Sequence, residues 1–263
     1  MKEQISTELT SISRDHILIR GYDVADLATR FSFGDLIYLL ARGDLPGGDE
    51  GKLIEAMLVC CVDHGINTPS TQVARTVASC GSPLQAAIAA GVSALGDHHG
   101  GAGEALAHAM QSVLQAGPQS NLEQAASQVI ASFRKEGRRV PGFGHRVHNP
   151  DPRAVLLLEL ADQWSLSGLY TALARAIERQ LQTQTSRSLP INVDGALAAL
   201  LSDLGFHWRY ARAVFIIART AGLAAQVNEE LGHGKPMRFS IPVPVIYTGP
   251  ADRSLPSIQE PGE

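Results

Sequence analysis

Arg139-Val140-Pro141-Gly142-Phe143-Gly144-His145-Arg146-Val147, continued by Asp151-Pro152-Arg153, is the stretch on which the reading of this chain turns. It sets a histidine behind two glycines, with arginines on either side of it. Cations beside a group that moves protons suit a small polycarboxylate. Two other polar islands interrupt otherwise apolar helical sequence: Asp97-His98-His99-Gly100-Gly101-Ala102 and Ile191-Asn192-Val193-Asp194.

Around these islands helical periodicity dominates. Leu53, Met57, Cys60 and Cys61 fall near three- and four-residue spacing, which predicts a helix over about 51–64. Thr68-Pro69-Ser70 reads as a cap and first turn, with a helix to about Ser79. Further helices are expected over about 83–96, 104–114, 122–135, 152–164, 167–184, 192–204 and 208–231. Strand signals are weak. Residues 15–20 suit a short edge strand, and 239–247 is β-branched but carries two prolines, against a central strand. From about Ala251 the chain reads as a loose tail. The expectation is an all-α fold, one compact unit over 1–263, with about 150–230 a small subdomain over the site.

Composition bounds the rest. Of 263 residues, 44% are hydrophobic and 18% charged, enough for a real core and too apolar for disorder. A net charge of −4 with no basic block argues against a nucleic-acid groove. No stretch reaches the roughly 18 apolar residues of a membrane span, and Glu3 and Glu8 argue against a signal peptide. A soluble cytoplasmic protein is the expectation. Cys60, Cys61 and Cys80 lack zinc or disulfide spacing and read as small core residues.

Each polar residue has a plain reading beside a functional one. Gly142 and Gly144 allow tight turns and leave amides open to a ligand, or simply stiffen an interhelical loop. The segment lacks the Gly-Lys-Ser/Thr end of a P-loop and the strand–turn–helix setting of a dinucleotide fingerprint. Arg153, after Pro152 at a helix start, either grips a carboxylate or lies in solvent; the helix dipole gives no reason for a cation there. Arg219, inside apolar Ile216-Ile217-Ala218-Arg219-Thr220-Ala221-Gly222, needs an internal carboxylate or a bound anion. Asp194 complements a helix dipole or serves as general base toward an activated C–H, with burial raising its pKa. His99 caps a loop or donates to a developing oxyanion. His64, at the end of a helix, answers the dipole of that C-terminus. Adjacent His98 and His99 have no third ligand at i+4, so no metal is expected. No nucleophile elbow is present, which leaves acid–base work on a carbon acid.

In this order, the islands resemble the citrate synthase superfamily over about residues 30–250. His99 with Gly100-Gly101-Ala102 resembles its HGGA-type motif, Gly142-Phe143-Gly144-His145 its GxGH loop, and Asn192-Val193-Asp194 its NVD motif. The resemblance implies a dimeric helical fold and coenzyme A thioester chemistry, with CoA part of the substrate and no tightly bound cofactor. It implies that His99, His145 and Asp194 are catalytic and that His64, Arg153, Arg219 and Arg238 bind substrate. His145 would accept the tertiary hydroxyl proton, His99 would steady the enolate, and Asp194 would protonate carbon. It places Val140, Pro141, Gly142, Phe143, Gly144 and Arg146 against CoA. The family's late Arg-Pro stands here as Lys235-Pro236, with Lys235 or Arg238 as its replacement across the dimer. The short chain and Ala94-Leu95-Gly96-Asp97 look most like the citryl-CoA lyase module that ends ATP-citrate lyase. Retro-Claisen cleavage of citryl-CoA to acetyl-CoA and oxaloacetate is therefore expected. Citrate or 2-methylcitrate synthesis, and a silent paralogue with a regulatory or assembly role, stand as alternatives.

Overall fold

The structure, a computed structural model, describes residues 5–117, 121–184, 188–238, 246–249 and 251. Three short strands come first: β1 (Thr10–Ile12), β2 (Ile17–Ile19) and β3 (Tyr22–Asp23), all antiparallel. The strand expected at 15–20 is therefore the middle strand of a small sheet, not an edge. Arg20 and Gly21, both at positive φ, make the tight turn that lets β3 fold back on it. The fold is predominantly helical with this small sheet attached, rather than strictly all-α.

Helices follow without further strands among the described residues: α1 (Val24–Arg30), α2 (Phe33–Arg42), α3 (Glu50–Cys61), α4 (Pro69–Ser79), α5 (Leu84–Ser93) and α6 (Ala102–Ala116). The series continues with α7 (Leu122–Lys135), α8 (Pro152–Gln163), α9 (Leu169–Gln184), α10 (Val193–Asp203) and α11 (Tyr210–His233). The periodicity anticipates α3 to α11 to within a few residues at each end. The first two helices carry signals of their own. Asp23 accepts the Ala25 amide ahead of α1, and Ser32 with Asp35 forms a reciprocal capping box ahead of α2.

One hydrophobic cluster runs through α2, α3 and α6 to α11, and a smaller one lies under α4, α5 and α11. Helix α10 is the centre of the larger cluster: every residue from Gly195 to Ser202 is buried. It is apolar all round, as a helix enclosed on every side must be, and it packs on α6, α8, α9 and α11. Burying Leu197, Leu200 and Leu201 contributes about 1.5–3 kcal/mol each. Ala196, Ala198 and Ala199 between them keep the neighbouring helices close. The result is a rigid rod whose first turn carries Asp194, the residue between Val193 and Ser202 that is only partly buried. Cys61 is buried and Cys60 half-buried, as expected of small core residues. Cys80 is exposed, because α4 ends there and the chain turns away at Gly81. The 239–245 segment and the tail beyond 251 lie outside the described residues.

Candidate active site

The His145 loop and the start of α10 are built as one piece. The Asn192 amide donates to the Gly142 carbonyl at 3.0 Å and the Gly144 amide to the Pro190 carbonyl at 2.7 Å. The Asn192 side chain caps α10 through the Gly195 amide and also donates to the Gly144 carbonyl at 2.7 Å. Gly142 and Gly144 both have positive φ, and a side chain on Gly195 would collide with the Gly142 carbonyl. The double-glycine loop that carries His145 thus lies directly on the start of α10. The Gly144 amide is spent on Pro190 and is not open to a ligand, contrary to the sequence reading. Val140 and Gly142 are buried, Phe143 bridges to Ile191, and Arg146 is exposed.

Asp151 ties this piece to α8. One carboxylate oxygen accepts the Arg153 amide at 3.1 Å, as the cap of α8, and Arg153 Nε at 3.0 Å. The other accepts the outer guanidinium nitrogen at 2.9 Å and the Val193 amide at 3.0 Å. Asp151 is only 1% exposed. Burial alone would raise its pKa, but the hydrogen bonds from Arg153 and Val193 and the guanidinium charge outweigh it and hold the carboxyl below its ordinary value. Here is the reason for a cation at a helix start: the capping carboxylate fixes it. Asp151→Ala is expected to cost about 2–4 kcal/mol, since it strips a half-buried arginine and two helix starts of one acceptor. Urea unfolding measures it; a loss below about 1 kcal/mol would refute the role.

The Arg153 guanidinium reaches to 3.4 Å from His145 Nε2. On the other side of that ring, Nδ1 lies 3.1 Å from both the Val147 and His148 amides, which donate to it. Both ring nitrogens thus face donors, two backbone amides at Nδ1 and a guanidinium at Nε2, which fixes the ring beside Arg153. Burial and the neighbouring cations push His145 below its ordinary pKa despite Asp151.

His99 is set by a residue the motifs did not flag. Its Nε2 lies 3.2 Å from the Ser70 amide and 2.9 Å from the Ser70 hydroxyl, in the first turn of α4. That nitrogen accepts, so Nδ1–H is the free donor. Burial, then Arg219, lowers its pKa, and a neutral imidazole results. The loop itself closes through reciprocal bonds between Gly96 and His99. Arg219 is 1% exposed; it donates to the Cys61 carbonyl, touches Ser70 Oγ at 3.5 Å and stacks over Phe215. No carboxylate hydrogen-bonds to it among the described residues. Asp194, close enough to feel Arg153, Asp151 and Arg219, has its pKa pushed up to about 6, chiefly by burial.

His64 presents its ring edge to His145, with centroids 5.5 Å apart, and His148 stacks on His145 at 4.7 Å. One nitrogen from each of these three rings lies within 4.8 Å of the others, the spacing of a loose metal cluster. The donor chemistry does not fit a cation. A ligating histidine donates from its other nitrogen, whereas His145 Nδ1 accepts there, and a guanidinium stands beside Nε2. The structure thus gathers His64, His99, His145, Arg153, Asp194 and Arg219. Arg238 is elsewhere: its guanidinium pairs with the buried Glu230 at 2.7–2.8 Å, beside Arg75. His98 is exposed.

Residues 48–240 match the citrate synthase C-terminal domain, and the chain belongs to the citrate synthase family. A citryl-CoA lyase from Hydrogenobacter thermophilus superposes with a TM-score of 0.86 at 37% identity, covering 97% of this chain and 98% of that one. The Methanosaeta concilii ATP citrate lyase, solved with (3S)-citryl-CoA, shares the fold at a TM-score of 0.82 and 22% identity, over 95% of this chain and 42% of its own. The citrate/2-methylcitrate synthase of Bacillus subtilis is 31% identical over 89% of this chain and 60% of its own length. The chain spans about half the length of the first curated relatives it matches, 54%. No described helix is long and apolar enough to cross a membrane.

Proposed function

We propose that this protein is a citryl-CoA lyase, cleaving citryl-CoA to acetyl-CoA and oxaloacetate by acid–base catalysis. The observation that carries the reading is the match to the Hydrogenobacter lyase along nearly the whole of both chains, joined to a site that gathers imidazoles, cations and a carboxyl group of raised pKa. Arg153, Arg219 and His64 bind the carboxylates, and His145, beside Arg153, takes the proton of the tertiary hydroxyl. As the carbon–carbon bond breaks, its electron pair passes into a thioester enolate. His99 Nδ1–H faces the enolate oxygen, where a fixed donor in a dry site contributes most to rate. Asp194, as the acid, delivers a proton to the enolate carbon. CoA enters as part of the substrate, with Pro141, Phe143 and Arg146 at its edge. About 150–230 serves as a small subdomain over the site, and a homodimer is the working form. Exposed Val59, Val73 and Leu84 on α3 to α5 support pairing of apolar faces.

Two incubations test the reading: citryl-CoA alone, and acetyl-CoA with oxaloacetate, each followed by mass spectrometry. Acetyl-CoA and oxaloacetate are the expected products of the first. Steady release of free CoA from the second would replace cleavage by synthesis. The pH dependence has a definite sign. Cleavage needs protonated Asp194, so its rate is expected to fall as pH rises through about 6. Condensation needs the carboxylate and rises over the same interval. Cleavage that climbs across that interval would remove Asp194 from the acid's role.

A further inference from the structure

No hydrogen bond fixes the His64 ring among the described residues, yet the proposed reaction asks it to meet a carboxylate at a set place. It is exposed, on the turn between α3 and α4. The backbone on either side must therefore place it, and α11 grips that backbone. Arg219, Gly222, Gln226 and Glu230 recur at three- and four-residue spacing and share one face of α11. The Arg219 guanidinium donates to the Cys61 carbonyl at 3.2 Å. Gly222 lies so close to the Val62 carbonyl that a Cβ there would overlap it. The Gln226 side-chain amide donates to the Asp63 carboxylate at 3.2 Å. Cys61, Val62 and Asp63 are thus seated on α11 immediately before His64. The same Asp63 oxygen accepts the Gly65 amide at 3.0 Å, which closes the turn on the far side of the histidine.

Resting on carboxylate binding by His64 and Arg219, we infer that Gln226 is a positioning residue for the substrate's acid groups, acting through Asp63. Its amide can point only one way. Arg75 donates to the Gln226 oxygen at 2.7 Å, and a guanidinium accepts nothing, so the NH₂ end is turned toward Asp63. Arg75 is itself anchored: it is 5% exposed and paired with Glu229 and the buried Glu230. The order Glu230, Arg75, Gln226, Asp63 carries that anchor to the turn that bears His64. Gln226 follows Arg219 on the same helix by about two turns. One helix therefore sets both acid-binding groups at a constant separation. Asp63 also carries charge toward Arg219, so a test must part charge from placement.

Calorimetry on the full chain, with oxaloacetate and separately with CoA, does so. Gln226→Met keeps the bulk and the helix but loses the amide. It is expected to weaken oxaloacetate binding about tenfold and to leave CoA binding within about twofold. Citryl-CoA cleavage should show the same split, with KM raised and kcat nearly unchanged. Asp63→Asn keeps an acceptor for Gly65 and Gln226 and removes only charge, so it is expected to bind oxaloacetate within about threefold of wild type. Asp63→Ala is expected to match Gln226→Met. Should Gln226→Met fail to fold, the two Asp63 variants carry the comparison, and equal affinities between them would overturn the inference. So would an unchanged oxaloacetate affinity in Gln226→Met, or a parallel loss of both ligands, which marks a general loosening of the fold. Wild-type protein that does not bind oxaloacetate would instead overturn carboxylate binding at this site, and the positioning role with it.

Discussion

Asp194→Asn is expected to abolish most of the activity and make the protein more stable at neutral pH. The amide cannot trade a proton with carbon, so kcat is expected to fall by about 10³-fold, within the usual range for a general acid or base. Stability moves the other way because the folded pKa, about 6, lies above the unfolded one near 3.8. Between those values the folded state binds more protons than the unfolded chain, so stability drops as pH rises across the window and stays low above it. The full difference corresponds to roughly 3 kcal/mol. Partial solvent access to the carboxyl reduces the expected gain for the amide to about 1–2 kcal/mol. That is about 3–6 °C in Tm for a domain of this size. Calorimetry at pH 7.5 and pH 4.0 is decisive: the gain should be present at the first and small at the second. A variant melting below wild type at pH 7.5 would mean that Asp194 is a structural carboxylate.

Arg219→Met is expected to separate binding from folding even more sharply. The guanidinium is fully buried, burial lowers its pKa from the ordinary value, and its protein contacts are a carbonyl, a hydroxyl and a ring face. A buried cation with no carboxylate hydrogen-bonded to it among the described residues is an expense that folding alone does not explain, and in the proposed reaction a substrate carboxylate supplies the missing charge. Removing it should raise KM for the acid-bearing substrate by about 100-fold or more, equivalent to losing a desolvated ion pair. The melting temperature should hold or increase, because methionine fills similar space without a charge to bury. An unchanged KM with a collapsed fold would assign Arg219 to architecture.

The helices were legible because amphipathic and apolar periodicity is a local property of sequence, and α7 coincides with its expected span. The polar islands were legible for a different reason: charges and glycines stand out against apolar surroundings. What escaped were partnerships between distant residues. Ser70 and His99 are 29 positions apart, and Asp151 and Val193 are 42 apart. Neither separation leaves a trace in composition. The Ser32–Asp35 capping box was readable and marks α2, whereas strands of two and three residues are too short to display alternation. Glu230, a buried carboxylate inside α11, must find cations and takes both Arg75 and Arg238, a pairing that no motif announces.

The arrangement of Ser70 at the start of α4 has a consequence for the medium in which this protein can work. The amide end of an eleven-residue helix faces the His99 ring, and its partial positive charge opposes any further proton there. Burial, Arg219 and this helix end all favour the neutral ring, so acid charges the His99 imidazole later than an ordinary one, and an early change in turnover points to the Asp194 carboxyl instead.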